Sequence, residues 1–271
     1  SSPLKNPVRD VFSPAGSSQS LTAQVQALFA GRAGGMWDMG DLSTLFQDTA
    51  GATPVTTVAQ TIARANDISG NGKNATQATA GSRPAYQTNG AYNCARFSAH
   101  VLSTGNIDLS ASTMALVSIA FAPNAWTFGL VSEFGPNAFS NNGSLYVSLG
   151  ESGAGFFYLF ARSTANDIVR NTSSISLSTP VVLTAYIDLS VASATAKLDA
   201  LINGASGGTT VIADAADASA NWMNSSMNFG GRNGGSVFSS CDVFAAVIRG
   251  GSATAGEIAL VDEWTRSRVG L

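Results

Sequence analysis

Residues 228–271 read NFGGRNGGSVFSSCDVFAAVIRGGSATAGEIALVDEWTRSRVGL, and this stretch decides the fold class. Its middle part, residues 241–248 (CDVFAAVI), is apolar at nearly every position, which predicts a strand covered on both faces. Thr254 and Glu257 then fit the Thr-x-x-Glu capping box that begins a helix. Apolar residues recur at helical spacing as far as Trp264. A buried strand followed by a short capped helix indicates that the helix packs against a β-framework.

The remainder of the chain has the pattern of a β-sandwich. A short helix is predicted between Ser20 and Ala30, with Gly31 as its stop. Many short strands separated by Gly, Asn, Pro and Ser turns indicate a sandwich or jelly roll, so the predicted class is all-β. The predicted strands are 91–104, 114–122, 125–134, 144–150, 155–162, 180–189, 194–203 and 241–249.

The chain is predicted to divide into an N-terminal part and one globular domain. Residues 1–30 form an arm and the short helix, and residues 31–271 form the jelly roll. Pro3, Pro7 and Pro14 make the first residues read as an extended arm. Because such arms can order on a partner surface, we expect this arm to serve attachment or oligomerisation.

The composition argues against several classes of function. Charged residues make up 11% of the chain, against ~25% in ordinary soluble domains, and the net charge is −3. Nucleic-acid binding is not expected, because no basic stripe could neutralise phosphates. Membrane insertion is not expected either, because no run approaches the ~20 apolar residues that a spanning helix needs. The first dozen residues lack the apolar core of a signal peptide, so we expect synthesis in a cytoplasm.

No catalytic residue is predicted, and the chain is expected not to be an enzyme. His100 is the only histidine, which excludes any triad or zinc site built on several histidines. Residues 204–208 match Gly-x-Ser-x-Gly, but that motif needs a following helix, and residues 209–212 read as extended. Residues 70–73 lack the spacing of a phosphate-binding loop and are predicted to form a turn.

The carboxylates do not form the pattern of a laminarinase-like glycoside hydrolase. Glu133 and Glu151 are isolated, and Glu257 and Glu263 lie on the terminal helix. Such hydrolases need two carboxylates facing each other across a cleft. A distributed pair that includes Glu133 remains an open alternative.

No metal ion or cofactor is predicted, although one turn offers hard oxygen ligands. Asp67, Ser69 and Asn71 could bind calcium, but side chains that bond their own turn explain the same residues without it. Calcium near Asp67 therefore stays an open alternative.

The sequence does not single out a ligand-binding residue. Trp126, Trp222 and Tyr158 are candidates for a platform on which sugars stack, and none is preferred.

Cys94 and Cys241 both lie in strand-like contexts, which favours burial as small hydrophobic side chains. A bridge between them is the alternative.

Several of these residues resemble a known family. Residues 67–75 (DISGNGKNA), with Arg83-Pro84 and residues 95–97, look like the opening of a concanavalin A-like (laminin G-type) jelly roll. The closing strand and final helix of that family have counterparts here: they resemble residues 229–232, residues 242–248, Glu257-Ile258 and Trp264. A histidine often found near position 74 or 75 is absent, and Asn74-Ala75 stands there instead.

The stretch before this domain resembles a more specific group. Residues 34–48 (GGMWDMGDLSTLFQD) and 50–55 (AGATPV) are similar to a segment of tailed-phage and prophage virion proteins. In those proteins the segment directly precedes the jelly roll.

The resemblance implies a non-enzymatic structural protein of a virion, either a head decoration or fibre or a tail component. Its partners would be capsid or tail proteins and copies of itself, since multiple copies make weak contacts effective. The alternative is a carbohydrate-binding adhesin that recognises host surface glycans. A polysaccharide hydrolase is the third and weakest hypothesis.

Overall fold

Two antiparallel sheets face each other across one hydrophobic core. The computed structural model describes residues 19–151, 153–163, 167–172, 175–191, 198–206, 210–211 and 221–271. Within these ranges the first sheet has eight strands: β1 (Gly34–Asp38), β5 (Ala85–Asn89), β6 (Tyr92–Ser98), β9 (Met114–Pro123), β14 (Val181–Asp188), β15 (Leu198–Ile202), β16 (Ala205–Ser206) and β20 (Ser240–Gly250).

The second sheet has ten strands in the same described ranges. They are β2 (Leu45–Phe46), β3 (Arg64–Ala65), β4 (Ala75–Thr76), β7 (Leu102–Thr104), β10 (Gly129–Phe134), β11 (Ser144–Leu149), β12 (Phe157–Arg162), β13 (Asp167–Thr172), β17 (Thr210–Val211) and β19 (Met227–Phe229). A separate short pair joins β8 (Ile107–Asp108) to β18 (Asn224–Ser225).

Strand β20 is the centre of the first sheet, as its apolar sequence predicts. The sheet order is β16-β15-β14-β9-β20-β6-β5. One edge of β20 pairs with β9, and its other edge pairs first with β6 and then with β1. This strand is therefore enclosed by neighbours on both edges and by apolar layers on both faces, which explains why its residues alternate so little.

The second sheet runs β17-β13-β12-β11-β10-β19-β7-β4-β3-β2. Its inner side chains pack against those of the first sheet. Phe121 of β9 meets Phe157 of β12 edge-on, with ring centroids 5.2 Å apart, and Trp37 of β1 meets Phe229 of β19 at 5.3 Å. The all-β jelly-roll class predicted from the sequence is confirmed.

The two α-helices of the described residues lie together on the outer face of the first sheet. They are α1 (Leu21–Ala27) and α2 (Ala255–Ser267), and short 3-10 turns occur at Leu42–Thr44 and Ala80–Ser82. The predicted capping box is present: Glu257 N donates to Thr254 Oγ1 at 3.2 Å, and Thr254 N donates to Glu257 Oε2 at 2.7 Å. None of the helices that the structure describes is long and apolar enough to span a membrane.

Helix α1 packs on the sandwich through apolar and polar contacts. Val25 and Phe29 are buried in the cluster that contains Trp264. Thr22 Oγ1 accepts from Trp264 Nε1 at 3.2 Å and from Arg268 Nη2 at 3.0 Å. Residues 1–18 of the predicted arm lie outside the described residues, and the boundary at residue 30 stays a prediction.

The strand predictions hold with two corrections. The predicted strand 125–134 begins only at Gly129, so the preceding residues form a loop. The predicted strand 91–104 is interrupted at Ala99, whose positive φ of 58° separates β6 from β7. Of the predicted strand 194–203, residues 194–197 lie outside the described residues, and the remainder forms β15.

Candidate functional site

His100 and the Gly-x-Ser-x-Gly string have structural surroundings. His100 is half-buried, its Nδ1 accepts from Ser98 N at 3.1 Å, and burial lowers its pKa below the ordinary value. Ser206 belongs to β16, a strand, whereas a nucleophile of this motif stands on a turn between strand and helix. Gly207 and Gly208 lie outside the described residues. Neither feature supplies a nucleophile with its base.

Asp67 holds a turn together through backbone amides. Its Oδ1 accepts from Met36 N at 2.9 Å and from Ser69 N at 2.8 Å, and its Oδ2 accepts from Lys73 N at 2.8 Å. Asn71 Nδ2 donates to the carbonyl of Gly34 at 3.1 Å. These bonds attach the 67–74 turn to β1 and account for the acidic residue without a cation. Among the described residues there is no group of three or more His, Cys, Asp or Glu side chains that could hold a metal.

The two cysteines are free and buried, so the disulfide alternative is wrong. Cys241 of β20 lies in the core between the sheets, whereas Cys94 of β6 lies in the cluster with Phe244 and Val269. The two thiols therefore occupy opposite faces of the first sheet, which no disulfide geometry can join. Burial as small hydrophobic side chains is confirmed.

Two of the three aromatic side chains that the sequence offers for sugar stacking are buried. Trp222 is buried, with its Nε1 donating to Thr113 O at 3.1 Å. Tyr158 is buried as well, and this burial raises the pKa of its hydroxyl. Trp126 is half-buried and packs against the core. None of the three offers an open ring face.

Among the described residues, the aromatic side chain that is exposed is instead Phe128, two residues after Trp126. Phe128 is 44% exposed in the loop before β10, and its ring lies 6.0 Å from that of Phe139. Reading residues 125–134 as a single strand concealed it, because alternation along a strand does not identify a loop residue. A bulky aromatic residue just before Gly129 is the signal that could have indicated it.

Phe128 lies at the edge of an aromatic stack on the outer face of the second sheet. Phe139 meets Tyr146 at 4.8 Å, and Tyr146 stacks on Phe160 at 4.5 Å with an interplanar angle of 17°. On β11 and β12 the alternate residues point into the core, so Tyr146 and Phe160 point away from it. We call Phe128, Phe139, Tyr146, Phe160 and Arg232 the aromatic rim.

A buried ion pair fixes the rim from below. Arg232 Nη2 donates to Glu133 Oε1 at 2.9 Å, and Arg232 Nε lies 3.1 Å from Glu133 Oε2. The amide of Ala138 also donates to Glu133 Oε1, at 2.8 Å. The Arg232 guanidinium lies 4.6 Å from the centroid of the Phe139 ring, so charge, ring and loop are locked together.

Glu151 is the exposed carboxylate at the other end of Tyr146. It accepts from Tyr146 Oη at 3.2 Å and from Ser148 Oγ at 2.8 Å. The fully buried Glu133 has its oxygens occupied by Arg232 and Ala138. The rim therefore combines one open aromatic face with hydrogen-bonding groups along its edge.

Comparison with known proteins identifies the fold. No protein-family model and no curated protein matches the sequence. The structure is similar to the botulinum neurotoxin serotype D binding domain, with a TM-score of 0.55 and 11% identity over 90% of this chain and 53% of that chain. It is also similar to the botulinum neurotoxin type G receptor binding domain, with a TM-score of 0.51 and 12% identity over 76% of this chain and 50% of that one.

A third similar structure is a Trypanosoma rangeli sialidase, with a TM-score of 0.51 and 10% identity over 89% of this chain and 38% of that chain. The chain thus spans about half or less of the length of these structures. At such low identity the likeness concerns the fold alone, and the fold it supports is the all-β sandwich.

Proposed function

We propose that this chain is a carbohydrate-binding module that recognises glycans of a host surface through the aromatic rim. The observation that carries the proposal is the open ring of Phe128 beside Phe139 on a sheet face. An aromatic face packs against the C–H face of a sugar ring, and polar groups at its edge bond the hydroxyls. Glu151 provides acceptors of this kind at the same surface.

The rim is held rigid before any ligand arrives. Phe139 lies between Phe128, Tyr146 and the guanidinium of Arg232, and Arg232 is bonded in turn to Glu133. A ring that is already fixed loses little conformational entropy on binding, which favours affinity.

The similar structures are consistent with this proposal through their fold. Two of them are named as binding domains, one of these as a receptor binding domain, and the third is a sialidase. The ligand class proposed for this chain rests on the rim itself, since the likeness concerns only the sandwich.

The module is proposed to bind without cleaving. Glycoside hydrolysis needs two carboxyl groups free to act on either side of the scissile bond. Glu133 is buried and paired with Arg232, so it is not free to act beside Glu151. Neither carboxylate faces an open catalytic partner among the residues that the structure describes.

Display on a phage virion is the second proposal, and it concerns the setting of the same module. The similarity of residues 34–55 to virion proteins favours it. Helix α1 lies on the outer face of the first sheet, while the aromatic rim lies on the outer face of the second. An N-terminal attachment to capsid or tail proteins, or to copies of this chain, would leave the rim pointing outward.

The test compares binding of labelled protein to intact host cells with binding to particles that lack it. Phe128→Ala should weaken saturable binding to cells about tenfold or more, since truncating an aromatic anchor of an interface costs about 2 kcal/mol or more. Val58→Ala is the matched control, because Val58 is 48% exposed and its neighbour Ala59 bonds to Tyr86 of β5, in the sheet opposite the rim. Equal cell binding by the Phe128 and Val58 variants would refute the aromatic rim as the binding site. Binding to particles alone would favour a purely structural role.

A further inference from the structure

A polar cleft lies beside the aromatic rim, on the same outer face of the second sheet. It has a volume of about 270 Å³. Ser103 of β7 points into it, since the adjacent Leu102 belongs to the core. The remaining lining residues are Gln77, Thr79, Ser82, Val101, Asn233, Gly234 and Gly235.

The polar groups of the cleft are free to bind a ligand. The hydroxyls of Thr79, Ser82 and Ser103 and the amide of Asn233 bond to none of the described residues. Gln77 is different, because its Nε2 donates to Val101 O at 3.1 Å and its Oε1 accepts from Thr79 N at 3.0 Å. Four residues that line the cleft thus have polar side chains with no partner among the described residues, and Gln77 gives it one fixed wall.

The opposite wall is a glycine turn anchored to the rim. Arg232 N donates to Ser236 O at 2.8 Å, and Gly235 N donates to Arg232 O at 3.0 Å. Gly234 and Gly235 have φ values of 88° and 81°, which residues with a Cβ rarely adopt. Because Arg232 is bonded to Glu133, the same ion pair fixes both this wall and the rim.

We propose that this cleft is a second binding subsite and that it takes one neutral hexose ring. Its lining in the described residues carries hydroxyl and amide groups and no charge, which matches uncharged sugar hydroxyls better than a carboxylate or an amine. Its volume of about 270 Å³ lies just below the ~300–1,000 Å³ range of ligand pockets, which suits a single ring. The inference rests on the proposed function in that the rim would hold a neighbouring unit of the same glycan.

The test is a ¹H–¹⁵N NMR titration of the full chain with glucose, galactose and mannose in separate experiments. We expect at least one of these sugars to shift the amide signals of Ser103, Asn233 and Gly234. Ser103→Val and Asn233→Ala should each weaken the binding of that sugar about five- to tenfold, which is the usual effect of one lost hydrogen bond. Ser236→Ala is the matched control, because Ser236 lies on the same loop but does not line the cleft.

The outcomes separate this subsite from the proposed function. Shifts in the cleft that survive Phe128→Ala but weaken in the Ser103 and Asn233 variants would support the subsite. Shifts confined to the rim, or unchanged affinity in both cleft variants with native-like spectra, would overturn it and leave the proposed function standing. If a sugar binds in the cleft and Phe128→Ala binds cells normally, the binding role of the rim is overturned and the subsite stands. If none of the three sugars shifts any cleft signal, the hexose assignment is wrong.

Discussion

Arg232 and Glu133 form a buried ion pair that ties a surface loop to the middle of the second sheet. The Arg232 side chain makes three hydrogen bonds to the carboxylate, at 2.9, 3.1 and 3.2 Å. Glu133 is completely buried, and 14% of the Arg232 side chain is exposed. The two residues are far apart in sequence, yet one pair positions both the aromatic rim and the wall of the polar cleft.

Removing one partner of this pair should destabilise the protein strongly. Arg232→Met leaves Glu133 buried without its counter-charge, and breaking a buried pair in this way costs about 3–5 kcal/mol. Urea unfolding of the variant and of the wild type measures the difference. Glu133→Leu combined with Arg232→Met is the control, because it leaves no buried charge and should recover much of the loss. A single variant as stable as the wild type would contradict the role given to the pair.

The two thiols should be unreactive in the folded protein. Burial raises the pKa of Cys241 to about 12 and raises that of Cys94 well above its ordinary value. Since the thiolate is the reactive species, neither residue should react with a thiol-specific reagent at neutral pH. Both should react after unfolding in urea, and reductant should leave the intact mass unchanged. Rapid labelling of either native thiol would show that its strand opens locally.

Sequence reasoning succeeded where one local signal and burial agreed. The apolar run in β20 and the capping box at Thr254 each depend on neighbouring residues only, and the structure contains both. The site depends on long-range contacts instead. Nothing near Glu133 in the sequence indicates that Arg232 pairs with it, and nothing near Trp222 indicates that its ring is enclosed. Which aromatic side chain stays open is decided by how loops meet, so Phe128 was missed.

The Asp48 carboxylate closes the turn at residues 48–53, and its contribution to stability should be lost only in strong acid. Asp48 accepts from the amides of Ala52 at 3.1 Å, Thr53 at 2.5 Å and Gly51 at 2.7 Å, and these bonds lower its pKa to about 2. A carboxyl whose pKa is lowered by folding stabilises the fold above its unfolded pKa of ~3.9, and this contribution is lost as the pH falls through the folded value. The relevant window therefore runs from about pH 4 down to about pH 2.

Two measurements check this window. A ¹³C NMR titration of the Asp48 carboxyl should have its midpoint near pH 2. The difference in unfolding free energy between the wild type and Asp48→Asn should be constant above about pH 4 and shrink toward pH 2. A midpoint close to the ordinary value of an aspartate would contradict the turn geometry.

A truncation that tests whether the N-terminal arm serves attachment must leave helix α1 in place. Deleting residues 1–30 removes the buried Val25 and Phe29, and losing buried side chains of this size costs at least about 3 kcal/mol. Deleting residues 1–18 keeps both, and we expect its urea midpoint to match that of the full chain. Comparing the two deletions therefore separates loss of folding from loss of attachment.

Incorporation into particles is the readout that decides the matter. The chain without residues 1–18 should remain folded and bind cells as the full chain does, but it should no longer enter particles, because the proposed contact with capsid or tail is gone. Normal incorporation of this shorter chain would refute the attachment role of the arm. Equal stability of the chain without residues 1–30 would mean that α1 adds nothing to the cooperative fold, despite the bonds from Trp264 and Arg268 to Thr22.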